Sequence, residues 1–209
     1  MKKHTITMFS VPPLMVFEYE GDMDKVLEYT SSIEYLKGGF VRSKNDYILD
    51  DDELKDLKDF CLNCIHQYTN EVIGMNDEIE IQQSWVNECQ PGEEQIRDHY
   101  HPNSFISGVF YLISDQKNGA PIKFKSDLHK SNFGSIEGDC QNFDQYNYYP
   151  SNSAEFTYPS IPGQLLLFSS TITHGVPTNM SDKKRMSIAF NTYPKLPFGN
   201  KLGVTYLKG

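Results

Sequence analysis

The chain has 209 residues, 38% hydrophobic and 22% charged, long enough to bury a core without disulfide or metal staples. Nineteen basic against 28 acidic residues give a net charge of −9, and only Arg42, Arg97 and Arg185 are arginines. Phosphate backbones need the opposite balance, so nucleic acid is not an expected partner, and no apolar run reaches the ~18 residues that span a bilayer.

The first residues, Met1-Lys2-Lys3-His4, lead into Met8-Phe9-Ser10-Val11-Pro12-Pro13. The two prolines and the missing small-residue cleavage site argue against a signal peptide; the stretch reads as an early strand, and the expected compartment is the cytoplasm. A first helix is expected over 22–37, where Val26, Leu27, Tyr29, Ile33 and Leu36 mark one face before Gly38-Gly39. A second follows Asp50-Asp51-Asp52, which offer a cap. Leu54, Leu57, Phe60, Cys61, Cys64, Ile65, Tyr68 and Val72 then recur at three- and four-residue steps up to Gly74.

From about residue 78 the period changes to two. Glu78 to Cys89 alternates, and Pro91-Gly92 turns the chain. Ser107–Ile113 reads as a buried strand, with a turn near Lys117-Asn118-Gly119 and a short edge-like strand over Pro121–Lys125. Residues 126–159 read as one long loop, a candidate lid with Tyr146, Tyr148 and Tyr149. Further strands are expected over Gly163–Ser169, Thr173–Pro177 and Arg185–Tyr193. With 13 Tyr and 13 Phe the balance is mainly β: a single domain of N-terminal bracing helices (about 1–76) and an antiparallel sandwich, jelly roll or barrel (about 77–209).

The chemistry-bearing residues are few. Cys61 and Cys64 form a C-x-x-C, but no second ligand pair follows and the pair sits in a helical pattern, which favours two small core residues. His66 lies alone on the same helix, and His4 and His129 have no helper. His99 and His101 form an H-x-H; in an extended segment both imidazoles face one side, and His174 follows 73 residues later. A close pair plus a distant third ligand is how antiparallel scaffolds build non-haem iron sites; two solvated histidines and one turn histidine is the plainer alternative.

Arg185 shifts that balance. On its strand Arg185, Ser187, Ala189 and Asn191 share one face, and Met186, Ile188 and Phe190 fill the other. A guanidinium fork beside a hydroxyl, among apolar neighbours, suits one terminal carboxylate.

In order, H-x-H, SGV-x-YL, PG-x-LLLF, H-x-V and R-x-S-x-AFN resemble the Fe(II)- and 2-oxoglutarate-dependent oxygenases. More narrowly, Trp85-Val86-Asn87, His99 to Ser104 and Gly203 to Leu207 resemble a small subfamily of oxygenases, many from bacteriophages and marine bacteria. The resemblance covers roughly residues 80–207 and implies a double-stranded β-helix, a cupin-like jelly roll. It implies His99, His101 and His174 as iron ligands, Arg185 and Ser187 as the holders of the distal carboxylate of 2-oxoglutarate, Tyr111 as a hydroxyl donor to it, and Asn191 in the cosubstrate pocket. The cofactors implied are Fe(II), 2-oxoglutarate and O₂, and the reaction implied is hydroxylation of a peptidyl (prolyl-like) residue or a small molecule. A phage origin would place it in the host cytoplasm.

His101 departs from the usual carboxylate, which removes one negative charge from the ligand set; Asp98 or Asn103 is the alternative third ligand. Two rival functions stay open: a three-histidine iron dioxygenase that does not use 2-oxoglutarate, and a non-catalytic jelly-roll binding or virion-associated module.

Overall fold

A computed structural model describes residues 2–6, 13–36, 41–93, 96–115, 119–125 and 155–199. The strands are β1 (Lys3–Ile6), β2 (Leu14–Glu18), β3 (Tyr35–Leu36), β4 (Val41–Ser43), β5 (Ile79–Cys89), β6 (Ile96–His99), β7 (Ile106–Ile113), β8 (Ile122–Lys125), β9 (Glu155–Tyr158), β10 (Gln164–Ser169), β11 (His174–Val176) and β12 (Arg185–Pro194). Two helices, α1 (Met23–Ser32) and α2 (Lys55–Tyr68), fall between β2 and β5.

The strands form two antiparallel sheets. The larger runs β1-β2-β10-β7-β12-β5-β4-β3, and the smaller β6-β11-β8-β9. Core residues alternate along the larger sheet. Met15, Phe17, Phe110, Leu112, Leu165, Leu167, Ile188 and Phe190 pack with α2, while Leu14, Val16, Tyr111, Leu166 and Phe168 pack with Ile122 and Phe124 of the smaller sheet. Both faces are covered, so β2 and β10 carry continuous apolar runs rather than alternation. The result is a double-stranded β-helix braced by helices, the expected class.

Several details differ from expectation. α1 stops at Ser32, not near 37. Thr30 Oγ1 donates to the Val26 carbonyl at 2.8 Å and Ser32 Oγ to that of Tyr29, so side-chain hydroxyls occupy the terminal carbonyls and the chain turns extended at Ile33. The aspartates do not cap α2 through their side chains: two 3₁₀ turns precede it, and the Asp51 carboxylate accepts from Tyr29 Oη instead. The end at Gly74 is as expected, with φ of 72° after a π turn over Thr69–Ile73.

Residues before 77, expected to supply helices, also supply β1 to β4. The edge-like strand is interior: β8 lies between β11 and β9, because Glu155–Tyr158, expected in a loop, pairs with it. The rest of that loop, with Tyr146, Tyr148 and Tyr149, lies outside the described residues, as do Met8 to Pro12, Gly38-Gly39, Lys117-Asn118, His129, Cys140 and Gly203 to Leu207. Cys61 and Cys64 face the core, where burial pushes the Cys64 thiol up to about 12 and Cys61 well above its usual range. Both behave as small apolar residues. Among the described residues, no helix is long and apolar enough to cross a membrane.

Candidate metal and cosubstrate site

Three histidines meet between the sheets at one end of the jelly roll. His99 closes β6 and His174 opens β11, and the two are direct partners across the ladder, so their side chains share a face. His101 lies just beyond β6, outside the strand, where its N–H bonds the Ser170 carbonyl at 2.9 Å. Convergence therefore comes from cross-strand register plus this tether, not from the i, i+2 alternation of one strand. The three rings stand 4.5–5.1 Å apart between centroids, and one nitrogen from each falls within 4.8 Å of the others.

The hydrogen bonds set the tautomers. A backbone carbonyl only accepts, so Nδ1–H of His99 donates to Arg97 O at 2.7 Å and Nδ1–H of His174 to Ile172 O at 2.8 Å. Both Nε2 atoms then present lone pairs. Nε2 of His174 lies 3.2 Å from Nε2 of His101, the separation of adjacent ligands around an ion with metal–nitrogen bonds of ~2.1 Å. Burial lowers His101 to about 4 and His174 to about 3, so both rings are neutral at pH 7. Three imidazoles converging on one point, two of them held neutral, fit a transition-metal ion such as Fe(II).

The alternative ligands are engaged elsewhere. The Asp98 carboxylate pairs with Lys125 and Lys123, and Lys125 holds it below the usual range. Asn103, at φ of 59°, lines a different cavity beside Tyr193 and Leu196.

β12 supplies the opposite wall of a cavity of about 360 Å³. Arg185, Ser187, Ala189 and Asn191 all face it, as their alternation requires. Arg185 is only 2% exposed. Its Nε donates to Ala120 O at 3.1 Å, one terminal nitrogen donates to Ser187 Oγ at 3.3 Å, and it meets no carboxylate among the described residues. Its guanidinium lies 5.1 Å from the centre of the Tyr111 ring. The Tyr111 hydroxyl is fully buried and makes no well-formed hydrogen bond among the described residues; burial raises its pKa and the neighbouring Arg185 partly opposes that, so it stays a donor. An unpaired buried cation beside an unpaired buried hydroxyl fits a carboxylate ligand.

Asn191 also touches the histidine cluster. Its Nδ2 lies 3.4 Å from His101 Nδ1 and its Oδ1 accepts from Ser107 Oγ at 3.1 Å, with Ser170 and Ser104 continuing the chain at 2.8 and 2.7 Å.

Other members of this wall carry no sequence signal for their place. Arg42 from β4 stacks over Trp85 of β5, with its carbon 4.5 Å from the ring centre, and Asn87 sits beside it. The one available cue was scarcity, since two of only three arginines line this cavity. Gly108 and Gly175 are structural necessities: a Cβ on Gly108 would strike the Phe190 ring, and one on Gly175 would lie 2.6 Å from Asp98 Oδ1.

Three structures illustrate the likeness of fold. HygX from Streptomyces hygroscopicus, solved with nickel, 2-oxoglutarate and hygromycin B bound, has 12% identity and a TM-score of 0.57 over 93% of this chain and 92% of that one. A Pseudomonas putida prolyl-4-hydroxylase has 12% and 0.56 over 87% and 92%. A prolyl hydroxylase from Trichoplax adhaerens, in complex with a hypoxia inducible factor peptide fragment, has 16% and 0.58 over 87% and 83%. No curated protein sequence matches the chain. A family model described as "Putative 2OG-Fe(II) oxygenase" matches residues 83–191, more than half of the chain and the segment that carries all three histidines, Tyr111 and Arg185. The chain belongs to the 2OG-Fe(II) oxygenases, enzymes that work with Fe(II), 2-oxoglutarate and O₂.

Proposed function

We propose that the enzyme hydroxylates an aliphatic C–H bond of an organic substrate, with His99, His101 and His174 holding Fe(II) and with Arg185, Ser187 and Tyr111 holding the distal carboxylate of 2-oxoglutarate. The observation that carries this reading is Arg185, buried, charged and without an acid among the described residues. A guanidinium does not shed its proton, so burying it without a counter-ion costs several kcal/mol, roughly, and a bound carboxylate removes that cost. A three-histidine dioxygenase with no dicarboxylate to bind leaves Arg185 unexplained.

When bound, the iron couples oxidative decarboxylation of 2-oxoglutarate, to succinate and CO₂, to insertion of one oxygen atom into the substrate. The chain's own residues bind and orient. His99 and His174 are fixed by their Nδ1–H bonds to Arg97 and Ile172. His101 needs a proton on Nδ1 to present Nε2, and turning the Asn191 carboxamide supplies the acceptor. Ser107 Oγ, which both donates and accepts, takes the other end. Asn191 is thus a positioning residue for His101 as well as part of the cosubstrate wall.

The substrate is a peptidyl residue, of the prolyl kind, or a small molecule; the similar folds include two prolyl hydroxylases and HygX with hygromycin B bound. The cavity volume suits either a side chain or a small ligand.

Succinate release tests the assignment. In Arg185→Met the KM for 2-oxoglutarate is expected to rise by at least ~30-fold, the lower end for unpairing a buried charge, while Co(II) affinity stays within a few fold. An unchanged KM would contradict it.

A further inference from the structure

Three of the four buried side-chain atoms that lack a hydrogen-bond partner among the described residues fall on one rung of the larger sheet. The rung runs from Arg42 on β4 to Asn87 on β5, Ser187 on β12 and Tyr111 on β7, each the direct partner of the next. Its orphans are Arg42 Nε, Asn87 Oδ1 and Tyr111 Oη. A buried polar atom left unpaired is costly, and three along one row of a cavity wall call for ligands that supply the partners. The cosubstrate carboxylate accounts for the Tyr111 end, leaving Arg42 and Asn87.

These two sit side by side across an antiparallel pair, with Cβ atoms about 4.5–5.5 Å apart. Together they offer one donor and one acceptor. The charge of Arg42 is already matched, since a terminal nitrogen lies 2.6 Å from Asp46 Oδ1, and Trp85 supports the guanidinium plane. The buried N–H left unpaired is the one on Nε. Asn87 is 9% exposed, so its oxygen finds no ready water. A carboxylate satisfies Arg42 but sets negative charge against Asn87 Oδ1, and an ammonium does the reverse. A neutral amide, with a carbonyl oxygen and an N–H on one side, satisfies both.

We infer that Arg42, Trp85 and Asn87 form the recognition subsite for the primary substrate and that the group it takes is a neutral amide. A primary carboxamide offers that pair of atoms, and so does one residue of an extended peptide. The subsite rests on the cosubstrate reading, because Arg185 must already hold the 2-oxoglutarate carboxylate.

Trp85 is the one tryptophan of the chain, so its fluorescence reports the subsite directly. The anaerobic Fe(II) protein, saturated with 2-oxoglutarate, is titrated with two isosteric pairs. One is butyramide against butyrate; the other is N-acetyl-Ala-Ala-N-methylamide against N-acetyl-Ala-Ala. The amide of at least one pair is expected to give a saturable change, with its acid at least ~10-fold weaker, and the responding pair shows whether the amide comes from a small molecule or a peptide. Asn87→Leu and Arg42→Met each weaken the amide by about three- to tenfold, one hydrogen bond's worth, and leave 2-oxoglutarate affinity within about twofold.

Equal or tighter binding of the acid would overturn the inference, since it means the Asn87 carboxamide is turned to present a second donor. So would the absence of a saturable response to either amide, with 2-oxoglutarate binding intact. Loss of 2-oxoglutarate affinity in Asn87→Leu would move Asn87 to the cosubstrate site and end the proposal. Failure of the unaltered protein to bind 2-oxoglutarate would instead overturn the cosubstrate reading, and the inference with it.

Discussion

At the scale of single residues, His101 and His174 are held neutral. Burial is the first cause of the shifts at His101, to about 4, and His174, to about 3, against an ordinary 6.5. The unfolded chain binds protons below about pH 6.5 that these two rings refuse in the folded protein until pH 4 and 3. Stability is therefore complete above that pH and falls as the solution is acidified through the window. The urea midpoint of metal-free protein is expected to drop between about pH 6.5 and pH 5, and to drop much less in the double variant His101→Gln, His174→Gln. A flat midpoint in the parent would contradict the burial account.

Asn191 carries a second prediction at this scale. Asn191→Leu removes the amide that faces His101 Nδ1. Co(II) affinity is expected to fall by about 10–100-fold, the usual effect of losing a group that orients a ligand. Unchanged Co(II) affinity would show that His101 holds itself.

That His99, His101, His174 and Arg185 stand out was legible in the sequence, because each type is rare and its spacing is chemically informative; the structure brings all four to one cavity. Arg42 and Asn87 were not. Their adjacency depends on the register of β4 against β5, which no local pattern encodes.

At the scale of elements, the short strands β6 and β11 decide where His99 stands relative to His174. Gly175 makes that pairing possible, since an added Cβ would lie 2.9 Å from the Ile96 carbonyl as well as against Asp98. In Gly175→Ala, β6 must move and His99 with it. Co(II) affinity is expected to fall by at least ~10-fold while far-ultraviolet circular dichroism stays native. Native affinity would mean that the sheet edge relaxes without moving the imidazole. Gly108 plays the equivalent part in the larger sheet, where the Phe190 ring fills the space of a side chain.

From residue 78 on, β5, β7, β10 and β12 were readable because they carry strong patterns, while β6 and β9 were not. The boundaries that failed have physical reasons. The hydroxyls of Thr30 and Ser32 end α1 early by taking carbonyls the helix leaves open. β9, as EFTY, is four residues in a polar stretch, and it is a strand because β8 is there to pair with it. Tertiary pairing, not local propensity, makes such a segment.

At the scale of the molecule, the division of labour follows from the eight-stranded sheet. Its outer face packs with α2 around a mainly apolar core; its inner face turns polar at one end, along Arg42, Asn87, Ser187 and Tyr111. The smaller sheet brings the histidines to that end. An acidic protein of net charge −9 thus keeps Arg185, which meets no carboxylate among the described residues, on the wall of its cavity. An anionic group is expected beside it, against the sign of the overall charge. The family and its fold were legible from the order of motifs. The second half of the polar rung was not, because Arg42 and Asn87 lie 45 positions apart in the chain and only pairing of β4 with β5 unites them.

The central claim is that one cavity holds iron on three histidines and 2-oxoglutarate on Arg185. Anaerobic titration with Fe(II), with and without 2-oxoglutarate, tests it most directly through the weak visible band that the chelate gives. The account predicts one iron per chain, a band that needs both components, no iron in His174→Ala, and iron without the band in Arg185→Ala at the same 2-oxoglutarate concentration. Iron bound with no band in the unaltered protein, or a full band in Arg185→Ala, would contradict it.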